Sequence, residues 1–260
     1  MASHKQVLLE FSILSFFWLL FFLHQSHTTA TTTEDAVYSG FNTSLGSQEK
    51  VTLSLYYESL CPYCANFIVN ELVKVFETDL SSIVNLRLVP WGNTQITPNN
   101  SWICQHGRDE CLLDMVEACV INVWPNPEIH FKFIRCVEDL RLRNMHNNWQ
   151  SCFDSLGLSQ TPIRNCFNTG LAVRLEQGYA DETDHLNPPH RFVPWVLVNN
   201  LPLQEDYQRF VVYICRSYRG NNSPESCKSE AFVFNSLRAV NSSQLCNAGN
   251  AGNTTRRVAN

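Results

Sequence analysis

Cys61 and Cys64, with Pro62 and Tyr63 between them, are the residues whose types and spacing most directly specify chemistry. Two thiols three positions apart can close a small disulfide ring and reopen it. One attacks a substrate disulfide as its thiolate. The other attacks the mixed disulfide that results and releases the reduced substrate. Cys61 is the expected nucleophile and Cys64 the resolving thiol. A second residue belongs with them from far along the chain. Pro194 interrupts the strand pattern Val193-Pro194-Trp195-Val196, where a proline is normally excluded unless it begins a strand or sits at an edge. A cis Val193–Pro194 bond at the start of a strand is one resolution of that conflict; a trans proline on an edge strand is the other. Val193 and Pro194 are the candidate substrate-binding residues.

Two other uses of a Cys-x-x-Cys pair stand against this one. A structural zinc site needs a second pair of ligands at matching spacing, and beyond residue 30 no second Cys-x-x-Cys or His-x-x-His is present. An inert ring disulfide remains as a structural alternative. The neighbouring residues favour redox work. Val51 to Tyr57 is rich in β-branched and aromatic residues and reads as a strand. After the pair, Phe67, Ile68, Leu72, Val75 and Phe76 recur at helical spacing over 65–78. The pair thus sits where a strand ends and a helix begins. Cys61 then lies at the helix start, whose partial positive charge favours a thiolate, and Pro62 fits the first helical position.

The elements around this unit follow from the same patterning. Val84 to Val89 reads as a second strand, giving a βαβ unit with a parallel crossover. From about 93 to 165 the rhythm changes to helical spacing, with Cys111, Met115, Ala118, Cys119 and Asn122 on one stripe. This section is expected to be a helical insertion stapled by disulfides. Beyond it, Thr169 to Tyr179 reads as a helix, Phe192 to Val198 as a strand, Leu201 to Leu203 as a short partner strand and Tyr207 to Tyr218 as a closing helix.

The ends of the chain indicate its route. Lys5 precedes an apolar run from Phe11 to Leu23, followed by small and polar residues. That is the layout of a signal peptide over 1–30. The run is shorter than the roughly 20 residues a spanning helix needs, so no membrane attachment is expected after cleavage. Residues 31–49 read as a flexible leader, 51–230 as the folded domain and 231–260 as a polar tail. Five N-x-Ser/Thr sequons, at Asn42, Asn99, Asn221, Asn241 and Asn253, fit a glycoprotein of the secretory pathway. The net charge of −5, without a dense basic patch, gives no footprint for nucleic acid.

Secretion also governs the eleven cysteines. In an oxidising compartment Cys104, Cys111, Cys119, Cys136, Cys152, Cys166, Cys215 and Cys227 are expected in structural disulfides. With the 61/64 pair set aside, Cys246 is the odd one, free to link a second copy of the chain. His106, between Cys104 and Cys111, reads as a polar loop residue rather than a metal ligand, and no metal is expected.

The run Cys104-Gln105-His106-Gly107, followed by Glu110, Cys111 and Cys119, resembles the signature of the gamma-interferon-inducible lysosomal thiol reductase (GILT) family. The chain departs from that signature at Asp114, where the family has Asn, so a charge stands where an amide would donate. The dithiol, the Pro188-Pro189-His190 lead into Pro194, and the late Cys215 and Cys227 extend the resemblance over about 51–230. It implies an α/β, thioredoxin-like fold with a helical insertion. It implies reduction of protein disulfides by Cys61 and Cys64, with an external thiol as reductant and no bound cofactor. It places the protein in an acidic lysosome or vacuole, or outside the cell. Two alternatives stay open: a secreted disulfide oxidase or isomerase, and a non-catalytic disulfide-rich binding protein. Acidity raises a physical problem, because a thiol near pKa 8.5 is almost wholly protonated at about pH 5. A protonated histidine would help, and His190 is the expected one.

Overall fold

A computed structural model of the protein describes residues 50–99, 101–228 and 246–247. The expected signal peptide, leader and most of the tail lie outside these residues, as do Asn42, Asn241 and Asn253. Asn99 and Asn221 lie within them and are exposed.

The sheet is built on β1 (Val51–Tyr57) and β2 (Val84–Pro90), which pair in parallel from Val51 opposite Val84 to Tyr57 opposite Pro90. Between them runs a helical crossover. It comprises α1 (Pro62–Asn66), a π-helical stretch over Phe67–Leu72, and α2 (Lys74–Glu77). Two short antiparallel strands follow β2, β3 (Gln95–Ile96) and β4 (Trp102–Ile103). The helical section then holds α3 (Arg108–Val123), α4 (Pro127–Leu142), α5 (Ser151–Leu156), α6 (Thr161–Asn168) and α7 (Leu171–Asp184). It therefore runs past residue 165 to Asp184. Next come β5 (Phe192–Val193), β6 (Trp195–Val198) and β7 (Leu201–Pro202). Helices α8 (Phe210–Ser217) and α9 (Glu225–Lys228) and a last strand, β8 (Cys246–Asn247), complete the described residues.

In the sheet the order is β2-β1-β6-β7, with β6 antiparallel to β1 and β7 antiparallel to β6. A parallel β-α-β unit followed by an antiparallel hairpin is the thioredoxin-like arrangement that the resemblance implied. The expected strand 192–198 is cut at Pro194, whose missing N–H cannot continue a ladder; the Val193–Pro194 bond is cis.

Among the described residues, two apolar clusters form the core. The first packs the sheet against α1, α4 and α8. Phe67 meets Tyr207 and Phe210 edge to face at 5.4 and 5.5 Å. The second joins α3, α4, α5 and α6 around Val116, Val120, Phe133, Val137 and Phe153. Burial on α3 reaches further than the expected stripe. Glu110, Leu113, Asp114, Val116, Glu117 and Val120 are all enclosed, while Cys111 and Met115 are only partly so and Asn122 is exposed. Cross-links tie this layer together: Cys119 to Cys166 joins α3 to α6, and Cys136 to Cys152 joins α4 to α5. Cys104 pairs with Cys111 ahead of and within the first turn of α3, and Cys215 pairs with Cys227 between α8 and α9. Closing a loop the size of 136–152 restricts the unfolded chain by about 3 kcal/mol.

Candidate active site

The segment Glu58-Ser59-Leu60 carries the chain from β1 into α1. Leu60 belongs to the helical cluster, whereas Cys61 and Cys64 belong to the sheet cluster. The dithiol is thus set at the seam between the two. Arg141 Nε, from α4, donates to the Leu60 carbonyl at 2.7 Å and fixes the turn. Cys61 occupies the N-cap position of α1 with extended backbone, and Pro62 takes the first helical position, where no N–H is needed.

Cys61 is not bonded to Cys64. It is bonded to Cys246, 185 residues away, and Cys64 is the free cysteine, fully buried. This corrects the expectation for Cys246 as an odd thiol available to a second chain: its partner is within the same chain. The sequence had no means of pairing residues so far apart. Cys64 lies in the first turn of α1, away from water. Burial, and then the charge of nearby Glu58, push its thiol well above the ordinary range.

Cys246 arrives as part of β8, which pairs antiparallel with β5, Cys246 opposite Val193 and Asn247 opposite Phe192. The backbone just ahead of Pro194 therefore faces a strand whose cysteine is bonded to Cys61. Asn93 Nδ2 donates to the Cys246 carbonyl at 3.3 Å and to Gln105 Oε1 at 2.9 Å.

On the other side of the disulfide stands His106. Its Nε2 lies 3.9 Å from Cys246 Sγ. Its Nδ1 lies 2.5 Å from Glu110 Oε2 and 3.3 Å from Glu58 Oε2. Glu110 Oε1 also accepts the His106 backbone N–H at 2.9 Å, and Glu58 Oε1 accepts the Asn93 N–H at 2.7 Å. Burial opposes the imidazolium, but hydrogen bonds and charge from the two carboxylates outweigh it, and the pKa is pushed up to about 9. Gly92 makes room for this: it has a φ of +55°, and a Cβ there would run into the Glu58 side chain. His106, read from sequence as a loop residue, is a held cation beside the Cys61–Cys246 disulfide. The Cys104–Cys111 bond pins the loop that carries it.

His190 does not fill the role expected of it. Burial lowers its pKa, and its recorded partners are the Gly92 backbone and the charge of Asp184. Glu58, His106 and Cys246 bring possible ligand atoms within 4.8 Å of one another. They do not suit a metal: the Cys246 sulfur is in a disulfide, and His106 Nδ1 is committed to two carboxylates.

Asp114 lies under this site, fully enclosed. Its Oδ1 accepts the Ser59 N–H at 3.0 Å and its Oδ2 has no partner. Burial first, then the charges of Glu110 and Glu176, raise its pKa well above the carboxylate range. A protonated Asp carries one acceptor oxygen and one O–H donor, as an Asn carries an acceptor and a donor. The departure from the signature is thereby largely neutralised.

A family model described as gamma interferon inducible lysosomal thiol reductase matches residues 52–156, from β1 through the dithiol and His106 to α5. A gamma-interferon-responsive lysosomal thiol protein of Arabidopsis thaliana is 42% identical over 195 residues, covering 74% of this chain and 81% of the relative. The chain belongs to the GILT family. A mouse gamma-interferon-inducible lysosomal thiol reductase is 37% identical, covering 70% of this chain and 73% of that protein. The GILT-family chain is thus an oxidoreductase of the thiol reductase class. Among solved structures, oxidised BdbD from Bacillus subtilis aligns with a TM-score of 0.48 at 14% identity, over 65% of this chain and 88% of that one.

Proposed function

We propose that the protein reduces disulfides of other proteins through Cys61 and Cys64, in an acidic compartment of the lysosomal or vacuolar kind or outside the cell. The carrying observation is the bond between Cys61 and a cysteine on a strand paired to Val193. That is the geometry of a mixed disulfide with an extended polypeptide. In this reading Cys61 attacks the substrate disulfide, and one substrate sulfur leaves as a thiolate. Cys64 then attacks Cys61 Sγ, closing the 61–64 ring and releasing the second substrate sulfur, which takes up a proton. An external thiol reductant restores the dithiol. Val193 and Pro194 align the substrate backbone, and Asn93 Nδ2 is placed to bind its carbonyl.

The site also accounts for work at low pH. His106 is cationic well below pH 9 and lies against the disulfide, where it favours thiolate on the adjacent sulfurs. Reduction of insulin disulfides at pH 5 tests the function. Wild type is expected to turn over, and Cys61→Ser to lose activity to background. Turnover by Cys61→Ser, or none by wild type after prior reduction, would sink the proposal.

A further inference from the structure

Cys246 has properties that set it apart from the other bonded cysteines. The pairs 104–111, 119–166, 136–152 and 215–227 span between 7 and 47 residues and fasten the helices or their approaches. The 61–246 bond spans 185 residues and consumes the expected nucleophile. Its strand takes the place beside β5 assigned above to substrate backbone, with Cys246 opposite Val193 and its carbonyl on Asn93. The bond is shielded, with Cys61 wholly buried and Cys246 7% exposed. One free thiol, Cys64, lies a helical turn from Cys61 on the same chain.

We propose that Cys246 is a third redox-active cysteine, which seats the chain's own C-terminal strand as a tethered substrate and holds Cys61 until Cys64 displaces it. This rests on the dithiol reading above. In the exchange, the Cys64 thiolate attacks Cys61 Sγ. The Cys61–Cys246 bond breaks as the Cys61–Cys64 bond forms, and the electron pair goes to Cys246. Cys64 gives up a proton and Cys246 gains one, with His106 Nε2 as the nearby donor. The disulfide moves within the chain, and no external oxidant or reductant is consumed in this step. An external thiol then opens the 61–64 ring and the site is free.

The arrangement keeps the oxidised protein from attacking foreign disulfides while the strand is seated. Release is slow because Cys64 must first ionise, which burial and Glu58 oppose. The tethered cysteine is also at high effective concentration, so it competes well with any free disulfide until the site is reduced.

The test uses the full chain, acid-quenched, alkylated and digested without reduction, with linked peptides identified by mass spectrometry. Air-oxidised wild type and Cys64→Ser are both expected to yield a peptide joining 61 to 246. Under limiting dithiothreitol, wild type converts to the 61–64 ring, whereas Cys64→Ser retains the 61–246 link or opens directly to thiols. Insulin reduction by oxidised wild type begins with a lag that Cys246→Ser shortens at least several-fold. Cys61-dependent turnover without any 61–246 peptide in either protein would overturn this inference alone. So would a lag unchanged in Cys246→Ser. Turnover independent of Cys61 would instead overturn the dithiol reading beneath it.

Discussion

Replacing His106 with alanine is expected to lower kcat/KM for insulin reduction by about 100-fold at pH 5, within the range for loss of a positioned general acid. The defect should be much smaller at pH 8. His106 has a sulfur of the reactive disulfide on Nε2 and two carboxylates holding Nδ1. Its raised pKa, about 9, keeps the charge in place throughout the acidic and neutral range and removes it only in alkali. At pH 5 an unassisted thiol of pKa about 8.5 has almost no thiolate, so the charge matters most there. At pH 8 the same thiol ionises partly without help. The groups facing the imidazole are Glu58, Glu110 and the Cys246 sulfur, which is bonded to Cys61. Without the imidazolium, Glu58 is a buried acid beside Glu110, and its pKa is already raised, by burial before all else. That raised pKa favours uptake of a proton as the pH falls, which limits the cost of leaving Glu58 without the imidazolium. A loss equal at both pH values would indicate a merely structural residue.

The folded chain should be more stable at pH 5 than at pH 8, by several kcal/mol. Glu117 accepts from Tyr57 Oη at 2.6 Å, but its other oxygen is unpartnered, as are both oxygens of Glu138 and one each of Asp114 and Glu176. These acids share the interior of the helical layer. Burial raises all four, Glu117 to about 8 and the others well above the ordinary range; Arg141 offsets the effect only in part, at Glu138. Each raised acid keeps its proton in the folded state after the unfolded chain has lost it. Its contribution to stability is complete below about pH 4.5 and is lost as pH rises through the folded pKa. Within that window each such group removes about 1.4 kcal/mol per pH unit. His106 acts in the same direction between about 6.5 and 9. His130 and His190, lowered by burial, act in the opposite direction as pH falls below about 6.5, but they are fewer. Urea denaturation at pH 5, 6.5 and 8 checks this. Asp114→Asn, which keeps the acceptor for Ser59, should raise stability more at pH 8 than at pH 5. Higher wild-type stability at pH 8 would refute the assignment of these protons.

Local pattern carried much of this into the sequence. Val51–Tyr57, the dithiol, the helical residues after it and Val84–Val89 lie within one βαβ unit. Each is marked by its own period, so strand, turn and helix could be placed. Pro194 was conspicuous because a proline in a strand has few solutions. What escaped was contact between distant elements. Cys246 lies in a polar segment with no periodicity to indicate that it pairs beside Val193. His106 sits in a loop, and its partners Glu58 and Glu110 come from two other elements. His190, nearer to Pro194 in sequence, drew attention that belonged to His106. Asp114 and Glu117 resemble surface charges on a helix, although their spacing from Glu110, four and seven residues on, places all three on one face. That face proved to be buried, because α3 packs against α4, α6, α7 and β2.

Cys61 is expected to remain a thiolate at acidic pH because His106 lies against the sulfur bonded to it. The most direct measurement is the alkylation rate of Cys61 in the fully reduced chain against pH, followed by mass spectrometry of the Cys61 peptide, in wild type and His106→Ala. A midpoint below pH 6 is expected for wild type, with a rise of at least one unit in the variant. A wild-type midpoint near the ordinary 8.5 of a free thiol, or one unmoved by His106→Ala, would contradict it.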